Sequence, residues 1–353
     1  MHMADGLVSP AVATTMYVAS GLAAAYSIHK LKKENIQEKI PTMGVMGAFI
    51  FATQMVNFTI PGTGSSGHLC GGLLLTSILG PYAGFLSMIG VLLIQCLFFA
   101  DGGLLALGAN IWNMAFYGCF LGSLIWKITT KKEISKRRII ISSIIGSVLT
   151  LQLGAFSVVI ETLLSGITDL PFKAFLLVMQ PIHLVIGLVE GLITASVLCF
   201  VYQTRPELLW NPNNVKNKEN KFSYKKTITI LAIICVIIGG GISLLASSNP
   251  DGLEWSIQKM TGNTEIETSE EGLYKISDQI QEKTSFMPDY SFKNNNSTVG
   301  TSISGIVGGA ITIGILCITG YVIKYFRKKE KSNEQNWKCH SNSSQNRSCT
   351  WRK

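Results

Sequence analysis

The chain has 353 residues, only 14% of them charged, and a mean hydropathy of +0.34, which is too apolar for an ordinary soluble domain. Its net charge of +9 does not describe a nucleic-acid-binding face, because 21 of the 30 Lys and Arg residues sit in four short clusters beside apolar runs. Composition therefore excludes a soluble enzyme and a nucleic-acid binder, and it predicts an all-α polytopic membrane protein.

The chain opens Met1-His2-Met3 with nothing cleavable ahead of it, so a free α-amine is expected. An amine followed by histidine is a chelate within one dipeptide. The amine, the His2 backbone nitrogen and the His2 imidazole can close fused rings around one ion, and three in-plane nitrogens favour Ni(II) or Cu(II). One in-plane position is left for a fourth donor.

The next segment, Ala11–Ile28, is apolar, has no positive charge before it and is followed by His29-Lys30-Leu31-Lys32-Lys33. A secretory signal carries its charge in the opposite order, so this is a predicted span with the amino terminus outside. Further spans are expected near Thr42–Phe58, Leu69–Leu79, Tyr82–Phe99 and Ala109–Trp126, then Ile139–Leu163, Ala174–Tyr202, Ile228–Ala246 and Ser302–Ile323. That pattern leaves the basic clusters Lys30–Lys39, Lys127–Arg138, Arg205–Lys226 and Lys324–Lys331 on one side, which the excess of positive charge marks as cytoplasmic. Leu69–Leu79 falls short of the ~20 residues a span needs and is stopped by Gly80-Pro81, so a broken or half-length helix is expected there. Irregular backbone at that depth is tolerated where it is buried in protein or lines a cavity.

On the same outer side lie the Gly- and Ser-rich loop Pro61–Gly67 and then His68, the candidate fourth donor to the Met1-His2 chelate. The loop is no phosphate cradle, since GxxxxGK[ST] occurs nowhere in the chain; an ATPase is not expected here. Asp101, Asn110 and Asn113 add polar groups at the outer ends of other spans. They suit partners that orient metal ligands, or equally helix caps and interhelical hydrogen bonds. His183 and Glu190 share a helix face at i, i+7, and an ionisable residue within a span is a candidate for the pathway; His183 also fits a packed polar residue. The segment 248–300 carries nine Asp and Glu against four Lys and no Arg, as expected of an outer loop. Six of the eight cysteines lie in apolar stretches without CxxC spacing, so no disulfide framework is expected. The tail from Ser332, rich in Asn, Ser and Lys, is expected to be disordered.

Met1-His2-Met3-Ala4-Asp5-Gly6-Leu7-Val8-Ser9-Pro10, Gly67-His68-Leu69-Cys70-Gly71-Gly72 and Ala100–Asn110 resemble the CbiM/NikM family, the substrate-capturing membrane subunits of energy-coupling-factor transporters for cobalt or nickel. Pro250-Asp251-Gly252-Leu253-Glu254-Trp255 resembles the hallmark of the small CbiN/NikN-type partner, here fused. Ala4 and Cys70 depart from the residues usual in the family. The resemblance implies a planar nitrogen site from the Met1 amine, the His2 amide and imidazole, and His68. It implies about seven spans in residues 1–203, a cytoplasmic linker at 204–226, a two-span PDGLE domain at 227–326 with an outer loop at 248–300, and a basic tail at 327–353. It also implies Ni2+ or Co2+ as transported cargo with no catalytic cofactor, a prokaryotic plasma membrane, and partners in one membrane coupling subunit and two ATPase subunits. An intramembrane copper enzyme built on an N-terminal histidine chelate is the competing expectation. Such sites need His as the first residue, and here Met1 precedes it.

Overall fold

The computed structural model describes residues 1–34, 36–212, 223–266, 268–269, 271–292 and 298–343. Helices dominate, because in hydrocarbon each backbone N–H and C=O must be satisfied within its own segment. Helix α1 (Pro10–Leu31) begins with proline in its first turn, where the missing N–H costs nothing, and ends at its basic cluster. Helix α2 (Ile40–Gln54) leads into a hairpin of β1 (Phe58–Ile60) and β2 (Ser65–Gly67), antiparallel with Phe58 opposite Gly67. Helices α3 (Gly72–Leu79) and α4 (Pro81–Phe99) follow. Residues 107–129 form one rod, α5, whose middle, Ile111–Leu121, is π-helical. Helices α6 (Lys136–Ser165) and α7 (Phe172–Thr204) run side by side, and Gly191 allows the approach: a Cβ there would lie 2.7 Å from the Cα of Ile144. The chain ends with α8 (Tyr224–Gly240), the short helices α9 (Gly252–Thr261) and α10 (Gly272–Thr284), and α11 (Thr298–Ser343).

Among the described residues six helical segments are long and apolar enough to cross a membrane, in α1, α4, α6, α7, α8 with its following turn, and α11. The other three apolar runs depart from plain spans. Helix α2 has 15 residues, the α5 rod changes its winding midway, and α3 has only eight. The start of the third run is non-helical backbone, residues 68–71, buried throughout and turned into α3 by a left-handed Gly71 (φ 84°). Glu190 makes this possible, since its two carboxylate oxygens accept the N–H groups of Cys70 and Gly71, both at 3.0 Å. Those donors would otherwise be unpaired in the interior.

Hydrogen bonds bring the basic segments to one end of the bundle. There Lys39 donates to the Leu79 carbonyl at 3.0 Å, Arg138 to that of Thr129 at 3.1 Å, and Arg327 to that of Glu34. In the segment read as a linker, Trp210 donates its N–H to Ser77 O and accepts from Trp126, both at 2.8 Å; 213–222 lie outside the described residues. Helix α11 continues through 327–343, where composition led to the expectation of a disordered tail; 344–353 lie outside the described residues.

Helix α11 packs on small residues shared with α2 and α8, the common device for close helix contact in lipid. A Cβ on Gly47 would meet Leu316 of α11 at 2.1 Å, and one on Gly305 would meet the Gly239 carbonyl oxygen at 2.1 Å. Gly305→Val is expected to push α8 and α11 apart at a cost on the order of 1–3 kcal/mol, the usual range for overpacking. Unfolding of the purified chain in detergent checks this, and an unchanged midpoint would count against the contact.

Candidate metal site

Residues 1–9 turn back into the bundle at the end opposite the basic clusters and are held there residue by residue. Asn110 clamps Met3 as a neighbouring strand would. Its Oδ1 accepts the Met3 N–H at 2.7 Å and its Nδ2 donates to the Met3 carbonyl at 3.1 Å, while Gly103 N–H reaches the same carbonyl at 2.9 Å. Asn113 donates to Glu161 at 2.7 Å and touches the Met3 sulfur at 3.6 Å. Asp5 accepts from Ala106 N–H at 2.9 Å and from the Ser277 hydroxyl. Gly103 is required, because a Cβ would fall 1.8 Å from the Asp5 Oδ1.

This clamp delivers the α-amine of Met1 to His68, with Nε2 2.9 Å away. The amine also forms an ion pair with Asp251. The His2 and His68 rings stack with centroids 5.3 Å apart. His2 Nε2 lies 3.2 Å from the Gln95 amide oxygen, and Nδ1, the nitrogen that would close a ring with the His2 amide, rests 3.1 Å from Asp101. Among the described residues no three His, Cys, Asp or Glu side chains converge as metal ligands. A planar set here has to draw on backbone nitrogen.

Burial depresses the His68 imidazole to about 3, helped by the nearby amine and His2. Burial likewise holds His2 below its ordinary value, against the pull of Asp101. Burial thus favours the neutral rings, the form in which imidazole binds a metal. Burial alone would raise the Asp251 carboxyl, but the amine and His68 hold it well below the usual carboxylate range. Glu254 is pushed up to about 7 by burial and by Asp251.

The structure thus brings Met1, His2 and His68 together, with Asp101, Asn110 and Asn113 around them. It puts Glu190 elsewhere, at the backbone break under α3, and His183 on the wall of a small cavity beside His68. Sequence reasoning missed Asp251, Gln95 and Glu161 at the site. Asp251 and Glu254 carry a legible local signal, the D-x-x-E capping box that starts α9. Nothing local says where that helix docks. It docks on the β-hairpin: Ser66 N–H donates to the Pro250 carbonyl at 2.8 Å and Trp255 Nε1 to that of Thr63 at 3.0 Å. Above His2 opens a cleft of about 530 Å³ walled by Asp5, Asp101, Asp251, Glu254, Asp278 and Asp289. Such a field concentrates cations at its floor.

Residues 2–208 match the family profile described as the cobalt uptake substrate-specific transmembrane region, and residues 225–325 match the PDGLE domain. A fused nickel transport protein, NikMN, of Archaeoglobus fulgidus is 33% identical, over 89% of this chain and 96% of its own length. A fused nickel transport protein, NikMN, of Rhodobacter capsulatus is 28% identical, over 74% and 77%. The crystal structure of a transition metal transporter superimposes with a TM-score of 0.51 at 31% identity, over 59% of this chain and 96% of that one.

Proposed function

Because the chain belongs to the family of cobalt uptake substrate-specific transmembrane proteins and carries a PDGLE domain behind that region, we propose that it captures Ni2+ or Co2+ outside a prokaryotic plasma membrane and delivers the ion inward. One observation carries this. The Met1 amine lies 2.9 Å from His68 Nε2, and with metal–nitrogen bonds of about 2.0 Å adjacent donors of a square plane are about 2.8 Å apart. The His2 amide and imidazole complete the plane once Nδ1 turns from Asp101 to the ion. Asp101, Asn110 and Asn113 then position the ligands without touching the metal. Glu190 acts at one remove, by holding the backbone two residues after His68.

The acidic cleft leads cations to His2. Asp251 holds the amine where the ion will sit, giving the PDGLE domain a part in loading. Delivery needs energy from partners, a membrane coupling subunit and two ATPase subunits, since the chain has no nucleotide-binding loop. Reconstituted alone in vesicles, the chain is expected to bind Ni2+ and at most equilibrate it. With partners and ATP it is expected to accumulate Ni2+, and His2→Ala is expected to abolish that. ATP-dependent accumulation by the single chain would sink the proposal.

A further inference from the structure

Beside the Met1–His68 contact lies a cavity of about 10 Å³, walled by Met1, His68, Cys70, Met114, His183 and Asp251 among others. That is room for about one water-sized particle. His183 is 1% exposed, and its Nδ1 lies 2.8 Å from the Met179 carbonyl oxygen. A carbonyl only accepts, so the proton sits on Nδ1 and Nε2 carries the lone pair. That Nε2 has no hydrogen-bond partner. His68 is held in the same way, with Nδ1 3.2 Å from the Leu69 carbonyl oxygen and Nε2 turned to the amine. An imidazole anchored through Nδ1–H to a main-chain carbonyl, with Nε2 bare, is how metal-binding histidines are held.

Two neighbours keep the second nitrogen usable. Gly252, in the docked PDGLE segment, has no side chain to fill the space; a Cβ there would lie 3.0 Å from Cε1 and 3.2 Å from Nε2 of His183. Pro181, two residues earlier in α7, removes one backbone hydrogen bond and loosens the helix at that point. His183 stands beside His68 in the bundle, since the neighbours of His68 meet α7 just beyond it, Gly67 against Ile186 and Cys70 on Glu190.

We infer that His183 is an exchange ligand for the captured ion, its Nε2 replacing that of His68 when the ion leaves the capture plane. The exchange swaps one neutral imidazole nitrogen for another, so it moves no electron and no proton. This inference rests on the capture function proposed above.

The test uses the full chain with a free amino terminus, Ni2+ alone as probe, and two variants, His183→Gln and Gly252→Ala. Equilibrium binding and the absorption of planar Ni2+ are read on the purified chain. ATP-driven uptake is read in vesicles with the partner subunits. Both variants are expected to hold one Ni2+ with the planar absorption, which also shows that they fold, while uptake falls at least tenfold in His183→Gln and also falls in Gly252→Ala. Uptake at the parent rate in His183→Gln would overturn the inference and leave His183 as a packed residue beside a buried water. Loss of the planar absorption in the same variant would overturn it too, by making His183 part of the capture plane. A parent chain that binds no Ni2+ through its amino terminus would overturn the capture function itself, and this inference with it.

Discussion

A formyl group retained on the Met1 nitrogen is expected to lower Ni2+ affinity by more than ~100-fold, beyond the roughly 10–100-fold that follows loss of a ligand's supporting partner. The formyl group keeps every side chain and the length of the chain. It turns the basic amine into an amide, so the five-membered ring that the amine closes with the His2 nitrogen loses its first donor. His68→Ala is expected to cost a similar amount by removing the fourth nitrogen, whereas Asp101→Asn should fall within the supporting range. Equilibrium dialysis of the purified chain with Ni2+ and Co2+ checks all three. Helical content should be unchanged, because the buried break at 68–71 is held by Glu190 through Cys70 and Gly71 and not by the His68 side chain. Undiminished affinity in the formylated chain would refute a site built on the terminal amine.

Glu190→Ala is expected to do the larger structural damage. The Cys70 and Gly71 N–H groups both end on this carboxylate at 3.0 Å, and a buried donor left without its acceptor costs about 1–3 kcal/mol. Losing both puts the expected destabilisation at about 2–5 kcal/mol. The non-helical backbone would shift to find other partners, and His68, two residues upstream, would leave the amine. Reversible unfolding in detergent and Ni2+ binding should therefore fall together. Glu190→Gln should recover only part of the loss, since its amide offers one acceptor to two donors. A Glu190→Ala chain that keeps its stability but loses metal would argue for a direct ligand instead.

Local chemistry made much of the fold legible. The basic residues after Ile28 marked the end of α1, and Gly80-Pro81 marked α3 as short. The switch of α5 into π-helix at Ile111–Leu121 had no such marker, because its apolar residues fit either winding. At the site, Met1 and His2 could be read as a chelate because adjacent residues define one. His68 followed from topology, which brings two loops to one end. His183 and Glu190 were read as a pair from their shared helix face, yet seven residues separate them by about 10 Å along the axis and their partners differ. Asp251 could be read as a helix cap but not as a site residue, since its ion pair with Met1 spans 250 positions and depends on how α9 docks on the hairpin.

That docking acquires a different meaning from the covalent tie between the two parts. As separate chains, a membrane subunit and its small partner would meet through Ser66, Trp255 and the Asp251 ion pair only as often as their concentrations allowed. Fused through the segment 205–223, they meet at an effective concentration of order millimolar. A contact that would need about 100 µM of a free partner for half-occupancy is then closed about ten times in eleven. The interface can therefore be weak enough to open readily and still be nearly always closed, with the ratio of the two parts set at one to one by the gene rather than by expression.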